Sequence, residues 1–398
     1  MPGEQKSTSI IEGRELTKFP QLGIVEITRT IWLVGKGRFD DAKDVFSNKI
    51  VDRSIQNQLT TAVSDHFPMR IGFIRLARGF DLAMVRAAYA LLPDSAIPMG
   101  TRSEIYITKD QATVIKGLLE NNEENQAQLD ERIQDLSTLA GNYPDKHVYV
   151  FYFERLAYSD LDPRLPYFPN LDGGRLFEHL KQELPETITL GTLEISSVDE
   201  FNEYYYHTDH HWNIRGAWNA YQEMYKMVCQ DFPDISPMND SITFKTYPDL
   251  LFLGTYARDT LFPFKPETFE IGEVSLPNYS VYTRDYVIKY NLSDEYNSGI
   301  YSKDPYVSRY AEYFGANSPF LMYSFDNHAS KNLLLIGTSY KIPIQPWIAS
   351  HYQLSYFVNL ANYPDFSLSG FLEDHQVDDI IILADMNELL DPTLSIKP

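Results

Sequence analysis

Three stretches of the chain are apolar at every position: Val148 to Phe153 in "GNYPDKHVYVFYFER", Leu333 to Ile336 in "NLLLIGTSY", and the "IIILA" of "VDDIIILAD". A strand with one wet face alternates apolar and polar residues, whereas an unbroken run marks a strand covered on both faces, as in a mostly parallel sheet. "LSYFVNL", between the last two, predicts another strand. Leu129, Ile133, Leu136, Leu139 and Ala140 fall on one face of a long helix, with the acidic "ENNEEN" before it as a solvated face or turn. Helix, turn and buried strand in succession predict an α/β sheet.

Elsewhere the periodicity is weaker. From Arg14 to about Ile97 it is mostly helical, with Ile71, Ile74, Leu76, Leu82, Val85 and Ala88 near helical spacing. Ile105 and Ile107 in "MGTRSEIYITK" alternate with polar neighbours and predict a short strand or hairpin arm. Between about 260 and 330 the chain is dense in Tyr, Pro, Ser and Asn and reads as an irregular, partly β insertion. Tyrosines there could stack on sugar rings, but surface strand positions favour tyrosine in any case. The expected organisation is a mostly helical segment over 1–97 packing on an α/β domain over 98–398 that contains this insertion.

Composition narrows the function classes. In 398 residues, 43% hydrophobic and 14% aromatic, there is material for a substantial core. The single cysteine, Cys229, excludes an intramolecular disulfide and a cysteine-based zinc site. A formal charge of -21 with no basic stripe argues against nucleic acid as a partner. No apolar run reaches the roughly 18 to 20 residues that span a bilayer. The opening "MPGEQKSTSI" has no signal-peptide core, which suits a chain without its leader or anchor as well as a cytoplasmic protein.

The chemistry concentrates in "YYYHTDHHWN", residues 204–213, which holds three of the nine histidines. His207, Asp209 and His211 at alternate positions would share one face of an extended strand, as metal ligands do, although no second ligand cluster is evident. Alternatively, Asp209 can orient His211 as the base of a serine nucleophile, and the helix predicted from "GAWNAYQEMYKMV" would anchor the pair. The third reading is a hydrogen-bonded polar turn. A nucleophile is available at the end of the "NLLLIG" strand: Gly337 allows a sharp turn and Ser339 stands where a helix begins, a position that also suits a simple helix cap.

"TDHHWNIRGA" resembles the signature of the DHHW protein family and of alginate O-acetyltransferase-like proteins. "EGRELTKFP", "SDHFPMR", "YFGANSPF" and "LLLIGTSY" agree with that pattern in order along the chain. The resemblance implies an SGNH-hydrolase-like α/β fold with Asp209 as orienter, His211 as base and Ser339 as nucleophile, and with no cofactor or metal. It further implies O-acetyl transfer to, or removal from, a bacterial cell-surface or extracellular polysaccharide. The acyl donor would come from a membrane acyltransferase, and the full-length protein would be exported or membrane-anchored. Many relatives carry Gly-Asp-Ser where this chain has Gly337-Thr338-Ser339. The side-chain amide of the oxyanion site has two candidates, Asn387 and Asn317, with Asn387 preferred because it directly follows a predicted strand. Tyr340 and Trp212 are further candidates for contact with substrate. A carbohydrate-binding or assembly protein that keeps the fold without turnover, and a metal-dependent hydrolase built on the histidine cluster, are the competing functions.

Overall fold

The computed structural model describes residues 99–100, 105–107, 114–162, 172, 174–260, 264–283, 288–289, 304–315, 317–392 and 396. All lie within the unit Arg86–Pro398. The helices expected over 1–97 lie outside the described residues.

The elements run β1 (Met99–Gly100), β2 (Ile105–Ile107), β3 (Val114–Lys116), α1 (Glu123–Asn142), β4 (His147–Phe153), α2 (Arg175–Glu183), β5 (Ile188–Leu193), α3 (Val198–Tyr204) and α4 (Ile214–Asp231). They continue through β6 (Thr243–Phe252), α5 (Thr255–Thr260), β7 (Glu267–Glu273), β8 (Tyr279–Thr283), β9 (Ile288–Lys289), α6 (Arg309–Phe314), β10 (Phe320–Phe325) and β11 (Asn332–Gly337). A 3-10 turn at Ser339–Ile344 leads into α7 (Gln345–Ala349), β12 (Leu354–Val358), α8 (Leu368–Asp374), β13 (Asp379–Ala384) and α9 (Met386–Leu390).

The main sheet has the order β5-β4-β13-β11-β12-β10-β8-β9. The strands from β5 to β12 pair in parallel, and β10, β8 and β9 extend the sheet in antiparallel fashion. The unbroken apolar runs are explained by a period of two between two covered faces. Val148, Val150, Tyr152, Leu334, Ile336, Ile380 and Ile382 face a core with residues of α1, α2, α8 and α9. Their neighbours Tyr149, Phe151, Phe153, Leu333, Leu335, Ile381 and Leu383 face a second core with α4 and α7. The stretch around 260–330 is partly β as expected, supplying β7, β8 and β10.

"ENNEEN" is more ordered than a solvated turn. Asn122 caps α1 by accepting from the N–H of Asn125, and Glu123 and Glu124 occupy its first turn, where the helix dipole favours negative charge. Gly337 also differs from the expectation of a sharp turn, since it is not among the glycines with positive φ. A Cβ there would lie 2.9 Å from the carbonyl oxygen of Leu383, so glycine is required for β11 to pass close to β13.

A buried histidine ties α4 to the end of α7. The Tyr221 hydroxyl accepts from both the backbone N–H and the side-chain amide of Asn239, each at 3.0 Å, so its own proton goes to Nε2 of His351 at 2.8 Å. The neutral ring then carries its hydrogen on Nδ1 and donates to the Ser236 hydroxyl at 2.8 Å. Burial lowers the His351 pKa from 6.5 to about 4. Because the unfolded chain takes up this proton more readily, the contribution is present above pH 6.5 and is lost as pH falls toward 4. The loss amounts to about 3 kcal/mol. Thermal unfolding between pH 7 and 4 should show it, and His351→Gln should remove that part of the slope.

Candidate active site

The "YYYHTDHHWN" stretch folds as a tight loop between α3 and α4. Tyr205 and Trp212 form an antiparallel bridge, closed by Tyr206 N–H to His211 O at 3.1 Å and Asn213 N–H to Tyr204 O at 2.8 Å. Asn213 then caps α4 by accepting from the N–H groups of Arg215 and Gly216. A Cβ on Gly216 would sit 2.2 Å from Tyr204 O, so only glycine lets the helix start directly against the loop. The β6–β7 hairpin holds the loop from outside. Glu267 accepts from the N–H of His207 at 2.7 Å and of Thr208 at 2.8 Å, and also from the Thr208 hydroxyl.

Within this frame, Asp209 Oδ1 lies 2.5 Å from His211 Nδ1, and His211 Nε2 lies 2.7 Å from Ser339 Oγ. Asp209 is 3% exposed and His211 8%. Burial by itself would push the Asp209 carboxyl up. The charge and hydrogen bond of His211, the nearby His210 and the Thr255 N–H outweigh it and hold the group well below the ordinary carboxylate range. An ionised carboxylate only accepts, so the Nδ1 hydrogen of His211 is fixed toward Asp209 and the Nε2 lone pair faces the serine. Such an arrangement can take the hydroxyl proton while the carboxylate stabilises the imidazolium.

Ser339 opens the 3-10 turn that follows β11, and the cap position belongs to Thr338, whose side chain makes no capping bond. The Thr338 hydroxyl instead donates to Glu388 at 2.5 Å, tying the Ser339 turn to α9. On the other side Lys341, 1% exposed, donates to the carbonyl oxygens of Gly337 at 2.7 Å and Thr338 at 3.0 Å, and to Asn317 Oδ1 at 3.3 Å. Burial lowers the Lys341 pKa to about 7, with Glu388 acting in the opposite sense.

The remaining sequence candidates take varied places. Trp212 is fully buried, 5.3 Å from both Phe153 and Tyr340, and so packs beneath the histidine instead of meeting substrate. Tyr340, 2% exposed, donates to the His210 carbonyl and accepts from Arg155 Nη2 at 3.0 Å. It too is part of the frame, because a side chain so enclosed offers no surface for contact. Asn317 lies at the Ser339 turn through Lys341. Asn387, in α9, has its amide nitrogen 3.4 Å from where a Cβ on Gly117 would be.

The set His207, Asp209, His211 does not converge. His207 turns its ring toward Phe264, 6.0 Å away, and the group whose ligand atoms lie within 4.8 Å of one another is Asp209, His210 and His211. A cation on this trio would compete for both nitrogens of His211, which already face Asp209 and Ser339.

Several neighbours escaped the sequence reading. Tyr310 stacks on the His211 ring at 4.0 Å and 16°, and donates to Ser339 O at 3.1 Å. Nothing in its Tyr-rich surroundings distinguishes it. Thr255 N–H donates to Asp209 Oδ2 at 2.6 Å, and Gly254 N–H to the Thr208 hydroxyl at 3.0 Å. The glycine before a helix was the one available signal.

No family model and no curated protein matches this sequence. Among solved structures, PatB1 from Bacillus cereus matches with a TM-score of 0.58 at 14% identity in a form carrying a sulfonyl adduct, over 74% of this chain and 100% of PatB1. Another PatB1 structure gives the same TM-score at 15% identity. A DHHW family protein from Eubacterium siraeum matches with a TM-score of 0.50 at 17% identity, over 71% of this chain and 91% of that one. The chain shares the fold of these proteins. The likeness in architecture agrees with the mostly parallel α/β sheet expected from the sequence. Among the described residues, no helix is long and apolar enough to cross a membrane.

Proposed function

We propose that this chain is a serine-dependent acyl-transfer enzyme, an O-acetyltransferase or O-acetylesterase acting on a cell-surface or extracellular polysaccharide. The observation that carries the reading is the unbroken hydrogen-bonded series from Asp209 through His211 to Ser339 at the mouth of a parallel sheet. In the first half-reaction His211 Nε2 takes the proton of Ser339 as Oγ attacks the acyl carbonyl of the donor. Collapse of the tetrahedral intermediate breaks the bond to the donor oxygen, which leaves with the proton from His211. In the second, a sugar hydroxyl or water gives its proton to His211 and attacks the acyl-serine, and Ser339 departs with that proton.

The oxyanion donors in this reading are the Ser339 N–H and the side-chain amide of Asn317. Asn317 stands at the Ser339 turn through Lys341, whose Nζ lies 3.3 Å from its Oδ1. This reverses the preference for Asn387. Each such donor contributes roughly 3 to 4 kcal/mol to the transition state. The acetyl group and the polysaccharide come from the family resemblance, and the donor would be a membrane acyltransferase or a molecule it loads.

A sulfonyl group is captured by a nucleophile, and PatB1 carries a sulfonyl adduct. The corresponding test is to treat this protein with a sulfonyl fluoride and locate the adduct by peptide mass spectrometry. The expected result is one equivalent on Ser339, absent from Ser339→Ala. Labelling that survives Ser339→Ala, or wild-type protein that resists the reagent, removes the nucleophile assignment.

A further inference from the structure

Lys341 is the only buried lysine among the described residues, 1% exposed, and no step of the mechanism uses it. Taking an ammonium out of water is unfavourable unless its hydrogens are met, and an apolar side chain would fill the same space more readily. Here each of the three hydrogens has an acceptor: Gly337 O at 2.7 Å, Thr338 O at 3.0 Å and Asn317 Oδ1 at 3.3 Å. Two of these are carbonyls of the turn that presents Ser339.

The Thr338 carbonyl and the Ser339 N–H belong to one peptide unit, and that peptide bond is trans. In a planar trans peptide the two groups point in opposite directions, so a carbonyl held by Lys341 sends the N–H away from Lys341. Thr338 O also accepts from the backbone N–H of Lys341 at 3.3 Å, so one residue grips it twice. The next peptide unit is held as well, because the Tyr310 hydroxyl donates to Ser339 O at 3.1 Å. Among the described residues no backbone acceptor is bonded to the Ser339 N–H. A cation drawn to the Thr338 carbonyl also polarises the peptide, which makes its N–H a stronger donor. Direction and strength of this donor are both set by a side chain too enclosed to meet substrate.

Resting on the acyl-transfer reading above, we propose that Lys341 is a positioning residue for that reaction: it holds the Thr338–Ser339 peptide so that the Ser339 N–H meets the oxyanion formed when Oγ adds to the acyl carbonyl. The negative charge develops on the former carbonyl oxygen only as that bond forms. The effect therefore falls on the tetrahedral state and not on the bound ester. Lys341 neither gives nor takes a proton in the step, and His211 remains the base.

Lys341→Met keeps the length and apolar stem of the side chain and removes all three hydrogens. It strands no charge, because burial pushes the Glu388 carboxyl up to about 8 and so keeps it mostly protonated near pH 7. Turnover is measured with an activated acetyl ester. Affinity is measured for methylboronic acid, which adds to a serine oxygen as a tetrahedral anion and imitates the reacting state. The expected result is an equal fall of about 10- to 100-fold in kcat and kcat/KM, matched by a loss of boronate affinity of the same factor. Lys341→Gln, which keeps a donor without the charge, should lose about 3- to 10-fold in both quantities, and it decides the matter where Lys341→Met does not unfold cooperatively. Wild-type values of both quantities in a folded variant overturn the proposal. A loss of rate with boronate affinity intact also overturns it, since a residue that only packs would leave the oxyanion site unchanged. Wild-type protein that takes neither methylboronic acid nor the sulfonyl reagent at Ser339 removes the acyl-enzyme reading and this role with it. Wild-type protein that takes both, with variants that match it, removes this role alone.

Discussion

His211→Ala and Ser339→Ala should each lower acyl-transfer turnover by about four to six orders of magnitude, and the double variant should be no worse than either alone. The non-additivity is the informative part. Ser339 Oγ and His211 Nε2 share one hydrogen bond of 2.7 Å, and each does its work only through the other. Once the imidazole is gone the hydroxyl keeps its proton and is a weak nucleophile near pH 7, so removing the hydroxyl as well takes away nothing more. Residual activity above the uncatalysed rate would report the oxyanion donors and substrate binding. Initial rates with an activated acetyl ester, compared across the three variants, are the measurement. Multiplication of the two single losses in the double variant would show that the two groups act in separate steps.

Gly254→Ala should also lower turnover, although the residue touches no reacting atom. A Cβ at this position would lie 2.3 Å from Asp209 Cβ, 2.4 Å from Asp209 Oδ2 and 2.7 Å from Thr208 O. None of these can yield cheaply. Asp209 is held by His211 on one oxygen and by the Thr255 N–H on the other, and Thr208 is clamped by Glu267. The added methyl must push the carboxylate away from the imidazole, and a displacement of about 1 Å at this distance costs on the order of 100-fold in rate. Crowding of a packed site should also lower stability by about 1 to 3 kcal/mol. Turnover and thermal unfolding measured together separate the effects: a rate loss of 100-fold in protein that still unfolds cooperatively above the assay temperature is the expected outcome. Near-wild-type turnover would mean that the Asp209 geometry is not needed for catalysis.

The parts of this molecule that were legible beforehand are those whose physics is local. Val148 to Phe153, Leu333 to Ile336 and the "IIILA" run identified themselves as strands because both faces are covered, which removes the polar half of the usual alternation. Asp209 and His211 were legible because one residue between them suffices for the contact that is found. Ser339 followed from its place at the end of an apolar run. What could not be read is set by packing at long range. Tyr310 meets His211 through the fold of the insertion, and Glu267 reaches Thr208 from the far side of a hairpin. Gly337 was read as a turn residue, yet its reason is the proximity of Leu383, a residue on another strand. Trp212 and Tyr340 looked like ligand contacts because aromatic residues beside a catalytic motif usually invite that reading, and burial alone removes them from it.

The order of strands carries a consequence for the growing polypeptide. β13, residues Asp379–Ala384, is the last strand among the described residues, yet it lies between β4 and β11 and hydrogen-bonds to both. During synthesis, therefore, the segment bearing Ser339 has no connection through the sheet to β4 and β5 until residues 379–384 have been translated. A ribosome-bound intermediate that stops short of residue 379 holds every group of the proposed catalytic series and still lacks the strand that would join them. Hydroxyl-directed reagents are therefore expected to pass over Ser339 in nascent chains that stop before β13.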